Sequence, residues 1–433
     1  MKGLNFLGNI RNKVRDSKKA ETDLPLKPDT APVEPLSDNP ESGTEAFAFH
    51  RERFKKIAIE RNKKLSSILR TEEWTEKDAA HQEALRDDID FEKRKGKELK
   101  AWERDTKVVI DHFRVKRDDP EGEGKKYKTL ILALAGGKKV TYCAGQLTAL
   151  HYMGYTDAID GVAGISGAVA PIYYFVTGKE KGRKGTAILA DEASRKDFFD
   201  PHRFNQVMDI KQVSAPIQSG PKALDTQAVL NSPTSVYVAV SRDGAQKVEW
   251  KDAKTATHAG QPDMISLLEA SGNIPFFKGK GIEVNGTEYF DGGFGQIDLQ
   301  ELLSKFPGTT DVLILPNAPF DELENLGPTF WEKSFIKSLP KRGMPGMARK
   351  FLQMSEELRK LFTIAGDINK DPNKKVNFGI LFPHATGITS TTMKSDLVEA
   401  TLYESAHGTF EAFGEKDEIH DVKLFMPASG KSI

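Results

Sequence analysis

The stretch 128–178 predicts an α/β fold with a mainly parallel central sheet, on three observations. An apolar run ends abruptly on a glycine turn, a helical pattern follows, and a second short apolar run ends on a serine turn that opens another helix. The first run, 130–135 (LILALA), has the length and apolar density of a buried strand. It stops at Gly136-Gly137-Lys138-Lys139, after which Ala144, Leu147, Leu150 and Met153 fall at helical spacing. A second strand over 158–163 meets Gly164-Ile165-Ser166-Gly167-Ala168, and 169–176 reads as an apolar helix. Strand, turn, helix, strand, turn, helix is a parallel βαβα unit, which sets both turns at one edge of the sheet.

The chain before this unit changes character twice. Residues 1–19 are basic, with Leu4, Leu7, Ile10 and Val14 at helical spacing, as suits either a helix in an anionic membrane interface or a charged tail. Residues 20–43 are rich in Pro, Ser, Asp and Glu and read as a disordered tether. From 46 to 113 charge is dense, Gly and Pro are nearly absent, and thin apolar stripes run through Phe54, Ile57, Leu65, Leu69, Leu85, Ile89, Trp102, Val109 and Phe113. Such a pattern predicts two or three helices forming an arm or cover. Their charge is first a solvated face and second a surface for a protein partner. The loop 118–126 closes this region.

Beyond the unit, the basic turn 178–185 faces either solvent or lipid headgroups, and 186–232 reads as irregular. Residues 235–241 (SVYVAVS) alternate little and suit a central strand. A short helix is expected over 264–271. Asn285-Gly286 sits between alternating apolar positions over 282–290, a strong hairpin signal. A helix over 297–306, strands over 312–315 and 376–382, and a closing helix over 396–413 complete the pattern. The stretch 330–352 interleaves Phe330, Trp331, Phe335 and Phe351 with Lys333, Lys337, Lys341 and Arg349. It suits a membrane interface or a packed helical insertion.

Composition removes several classes. The 433 residues suffice for two or three domains at ~150 residues each. Formal net charge is zero, so no global field favours nucleic acid. The single cysteine, Cys143, allows no internal disulfide and suits a reducing compartment. No apolar run reaches the ~20 residues of a membrane span, and no signal-peptide core opens the chain. The expected location is the cytoplasm, with peripheral membrane contact at most. No cluster has metal-ligand spacing and no calcium-loop pattern occurs, so no cofactor is expected.

The two turns carry the chemistry. The second is close to the nucleophile-elbow pattern G-x-S-x-G, in which small residues let the chain pass from strand to helix so tightly that a hydroxyl is thrust out. The helix after it aims its N-terminal amides at that serine. Glycines in the first turn leave backbone N–H groups exposed, as stabilising an oxyanion requires. Asp291-Gly292-Gly293 after the hairpin would be a plain turn if it stood alone.

Together these blocks resemble the patatin-like phospholipases, related to the mammalian cytosolic phospholipases. The first block is Ala135-Gly136-Gly137-Lys138-Lys139-Val140 followed by Gly145-Gln146-Leu147-Thr148-Ala149-Leu150. The second runs from Gly164 through Ser166 and Gly167 to Ala168, and the third is Asp291-Gly292-Gly293, approached through the run SGNIP. The likeness covers 128–414. Ala135, Val140 and Ala168 stand where the family has glycine, and a Cβ at the first two bears on the shape of the anion hole.

The resemblance implies a three-layer α/β/α catalytic domain over 128–414 behind the helical arm 46–117, with 1–45 as basic start and linker and 415–433 as tail. It implies a lipid acyl hydrolase, of phospholipase A or lysophospholipase type, acting on a phospholipid or other acyl lipid. Ser166 would be the nucleophile and Asp291 its base. The amides of Gly136, Gly137 and Lys138 would hold the oxyanion. Lys139 stands at the family's basic position, where it would meet a phosphate or steady the loop. Two alternatives remain at this level. One is a Ser–His–Asp esterase using His384 or His407; the other is a catalytically silent lipid-binding or scaffolding protein of the same fold.

Overall fold

The structure is a computed structural model. It describes residues 79–178, 210–274, 280–322 and 345–415 except 244, 321, 390, 391 and 393, together with 48, 50–56, 185, 188 and 189; the side chains of 79–95 and 345–356 lie outside that description. The basic start, the tether, the interior of the basic turn and most of the stretch 330–352 fall outside the described residues.

The strands are β1 (Thr129–Ala133), β2 (Gly161–Ile165), β3 (Ser235–Ser241), β4 (Glu249–Asp252), β5 (Thr257–His258), β6 (Gln261–Pro262), β7 (Ile282–Val284), β8 (Thr287–Asp291), β9 (Asp311–Leu315) and β10 (Asn377–Ile380). One sheet runs in the order β10-β9-β1-β2-β3-β8-β7 with β4 beside β3, while β5 and β6 pair separately. From β10 through β3 every pairing is parallel; β4, β8 and β7 add an antiparallel flank.

Alternation along the strands builds the layers, because successive side chains point to opposite faces. Leu130, Leu132, Val312 and Ile314 share one buried cluster, whereas Ile131, Ala133, Leu313 and Leu315 belong to the other. Both faces are therefore apolar, and helices cover each. The helices are α1 (Ala79–Asp118), α2 (Val140–Tyr152), α3 (Val169–Val176), α4 (Lys211–Gln218), α5 (Thr226–Asn231), α6 (Met264–Ser271), α7 (Leu299–Lys305), α8 (Pro345–Lys370) and α9 (Ser395–Phe413). Residues of α2, α3, α6 and α9 pack on the face of Ile131; Leu299 and Leu302 of α7, with Leu361 and Phe362 of α8, pack on the face of Leu130. This is the expected three-layer α/β/α arrangement with a mainly parallel centre.

The local reasons are visible in the chain. β1 is buried at all five positions, as a parallel strand between two helical layers must be. α2 has no polar face because the sheet lies on one side and α9 on the other; a Cβ on Gly145 would press within 2.7 Å of the Ser405 Cβ. Asp263 and Asp298 cap α6 and α7 by accepting hydrogen bonds from two backbone N–H groups each.

Three details differ from the sequence reading. The second strand begins at Gly161, because 156–158 form a tight turn instead. The stretch read as irregular holds α4 and α5 within its second half. β4, and the small pair β5 and β6, went unforeseen. In the charged region residues 50–56 are helical, and a continuous helix of 40 residues runs from Ala79.

The second half of α1 belongs to the packed core. Trp102 joins one apolar cluster, and Val109, Ile110 and Phe113 join the other. Between them, Thr106 Oγ1 donates to the Ile380 carbonyl at 2.9 Å and accepts from the Ile380 N–H at 2.8 Å. α1 thereby seals the edge strand β10. His112 also reaches the buried Asp311 carboxylate at 2.7 Å, tying α1 to the start of β9. Among the described residues no helix is long and apolar enough to cross a membrane.

Candidate active site

Ser166 is the first residue after β2 and opens the tight turn into α3. Its φ is +56°, a left-handed conformation unusual for a residue with a side chain. A non-glycine residue held there costs about 1–3 kcal/mol, and such outliers cluster at functional sites. The bend leaves the hydroxyl facing the end of β8 from across β3. Ser166 Oγ donates to Asp291 Oδ2 at 2.6 Å, joining residues 125 positions apart in the chain.

Asp291 closes β8, where it pairs with Val240 of β3. The second carboxylate oxygen accepts from the Gly293 N–H at 2.7 Å, so the turn after the strand fixes the ring of atoms around the acid. Burial pushes the Asp291 carboxyl up to about 7, while the hydrogen bonds from Ser166 and Gly293 hold it down. An acid that changes charge near neutrality, touching a hydroxyl, has the properties of a general base.

One short segment at the end of α6 holds both residues. Ser271 Oγ accepts from the Ser166 N–H at 2.9 Å and donates to the Ala239 carbonyl at 2.7 Å. Two residues later, the Asn273 carbonyl accepts from the Asp291 N–H at 3.1 Å. The sequence reading missed this brace. Its trace was the SGNIP run, where a serine ending an apolar helix looks the same whether it caps or braces.

The glycine loop follows β1, the strand beside β2. Gly136 is extended and Gly137 takes φ +53°, which turns the chain into α2. The Gly136 and Gly137 N–H groups donate to no partner among the described residues. The loop lies directly against the elbow: a Cβ on Gly167 would sit 3.3 Å from the Val140 Cβ and 3.7 Å from the Ala135 Cβ. Val140 and Ala135 thus pack against Gly167. Gly164 lies inside β2, just ahead of the elbow.

The two lysines of the loop differ. Lys138 is 3% exposed, and burial brings its ammonium down to about 7. Lys139 Nζ pairs with Glu322 Oε2 at 3.1 Å. This contact ties the loop to the segment after β9. Glu322 follows β9 and carried no sequence signal.

His384 meets Glu404 at 2.8 Å through Nδ1, and that carboxylate raises the imidazole pKa above its ordinary value. His407 lies on α9. Neither Ser166 nor Asp291 hydrogen-bonds a histidine among the described residues.

No family model matches the chain. No curated protein matches it. Among solved structures it is similar to VipD from Legionella pneumophila, at 12% identity over 67% of each chain with a TM-score of 0.32. It is also similar to human GIVD cytosolic phospholipase A2 in complex with methyl gamma-linolenyl fluorophosphonate, at 11% identity and a TM-score of 0.33. That match covers 73% of this chain and 64% of the human one. Likenesses this distant carry nothing about activity.

Proposed function

We propose that the chain is a lipid acyl hydrolase of patatin type, working through a Ser166–Asp291 dyad. The observation that carries the proposal is the 2.6 Å hydrogen bond from Ser166 Oγ to Asp291 Oδ2, on a serine held at φ +56°. The lipid class of substrate rests on the sequence resemblance, in which the glycine loop, the elbow and the Asp-Gly-Gly block stand in family order across 128–414.

In this proposal an acyl ester binds with its carbonyl oxygen toward the Gly136, Gly137 and Lys138 amides. Ser166 Oγ attacks the carbonyl carbon as its proton passes to Asp291 Oδ2. The carbonyl electron pair moves onto oxygen, where the amides stabilise it; each such donor contributes ~10²–10³ in rate. The intermediate collapses, and the leaving alcohol takes the proton from Asp291. Water then attacks the acyl-enzyme with Asp291 again as base, releasing fatty acid and restoring Ser166. A base near pH 7 suits both proton transfers. The enzyme would meet its lipid by transient contact with a membrane surface. The domain division belongs to the same proposal, with 128–414 as the catalytic unit.

Fatty-acid release from phospholipid vesicles tests this. Wild type, His384→Ala and His407→Ala are expected to release fatty acid, and Ser166→Ala and Asp291→Asn to release none. Loss in a histidine variant that keeps its circular dichroism would point to a triad. Release by Ser166→Ala would end the proposal.

A further inference from the structure

Asn317 lies two residues past β9, the strand on the other side of β1 from the elbow. The residue is 9% exposed and its Oδ1 is sealed from solvent without a hydrogen-bond partner. Among the described residues its Nδ2 has no partner either. The carboxamide is pressed on the glycine loop: a Cβ on Gly136 would come within 2.9 Å of Asn317 Nδ2. Glycine at 136 is what leaves room for this amide.

A buried amide oxygen without a partner lowers stability, and an apolar side chain of similar shape would fit at less cost. Its place beside two backbone amides that have no partner among the described residues points to a reason on the ligand side. The three donors belong to the ends of two adjacent parallel strands. They lie near the elbow, because the same loop packs on Gly167 through Val140 and Ala135.

We propose that Asn317 Nδ2 is a further oxyanion donor, reaching the acyl carbonyl oxygen from the β9 side while the Gly136 and Gly137 amides reach it from the β1 side. The assignment rests on the Ser166–Asp291 hydrolase reading. When the Ser166 Oγ–carbon bond forms, the carbonyl pair moves to oxygen and the Asn317 N–H bond shortens its hydrogen bond to that charge. No bond of Asn317 breaks. A side-chain amide serves this purpose in other acyl-transfer enzymes, where its loss costs ~10²–10³ in kcat.

The test is kinetics on p-nitrophenyl butyrate and its thiono analogue, whose C=S accepts hydrogen bonds poorly, with thermal midpoints measured in parallel. Asn317→Leu is expected to lower kcat on the oxygen ester roughly 100-fold. KM should change little and the midpoint should hold or rise. The preference for oxygen over sulfur ester should shrink by a similar factor. Asn317→Ala should behave the same way should the leucine fold poorly. Both variants keeping wild-type kcat, while Ser166→Ala is inactive, would overturn this assignment alone. Equal losses on both esters with a lowered midpoint would also overturn it, as a packing role. A wild type inert toward every ester and phospholipid would remove the hydrolase reading, and this assignment with it.

Discussion

Ser166 stands in a backbone conformation that serine resists, and its amide is tied by the buried Ser271 hydroxyl. Removing that hydroxyl in Ser271→Ala leaves the Ser166 N–H buried and unpaired, at about 1–3 kcal/mol of stability. It also frees the elbow to relax. The variant is expected to lose roughly 10- to 100-fold in kcat with KM little changed, because a small misplacement of a nucleophile is costly. A wild-type kcat in a destabilised Ser271→Ala would show that the brace serves the fold alone. In the proposed dyad Asp291 sets the pH behaviour. The base works ionised, so kcat/KM should rise with pH and level off above about 7. Stability should run the other way. The folded protein holds this proton above the ordinary carboxylate range and the unfolded chain does not, so the contribution of Asp291 to stability falls as pH rises from about 4 to about 7. Asp291→Asn should flatten that part of the stability profile, which urea unfolding at several pH values would read. Residues that make a turn possible were legible in the sequence, since only small ones fit: Gly136, Gly137, Gly164 and Gly167. The residues that act through space were not. Ser271, Asn317 and Glu322 look like any serine, asparagine or glutamate until the strands bring them to the loop.

At the scale of elements, legibility followed periodicity. β3, α3 and α6 have the bounds that their apolar patterns predict. Asn285 and Gly286 both take positive φ, as the hairpin signal requires. α4 and α5 were missed because each is at most eight residues long, and α4 carries Pro216 inside it. The region of α1 reads as an arm or cover, and its stripe residues Trp102, Val109 and Phe113 are buried. Thr106, buried against β10, had no such trace, because one threonine among so many charges has no periodic signature. Thr106→Val would leave the Ile380 N–H and carbonyl without their partner at the sheet edge. The expected cost is about 1–3 kcal/mol in urea unfolding, with esterase turnover of the folded protein unchanged. No loss of stability would mean that α1 merely rests on the edge.

At the scale of the molecule, the parallel sheet gathers the chemistry. The glycine loop, the elbow and Asn317 follow β1, β2 and β9 at their carboxyl ends, where sheets of this kind place their ligands. Asp291 reaches the same place from the antiparallel flank because β8 comes in over the end of β3 and pairs only with its last two residues, Val240 and Ser241, before it ends. This joining of one parallel and one antiparallel arm explains how a serine and an aspartate so far apart in sequence meet directly. It also explains why order along the chain alone left a histidine triad open: His384 and His407 follow Asp291 as that order would ask, but Glu404 holds the first.

The most direct test is covalent labelling by an organofluorophosphonate, with the modified peptide located by mass spectrometry and the rate followed in wild type, Asp291→Asn, His384→Ala and His407→Ala. The dyad predicts a single adduct on Ser166, formed at similar rates in wild type and both histidine variants and at least ~100-fold more slowly in Asp291→Asn. An adduct on another residue, or Asp291→Asn labelling as fast as wild type, would contradict it.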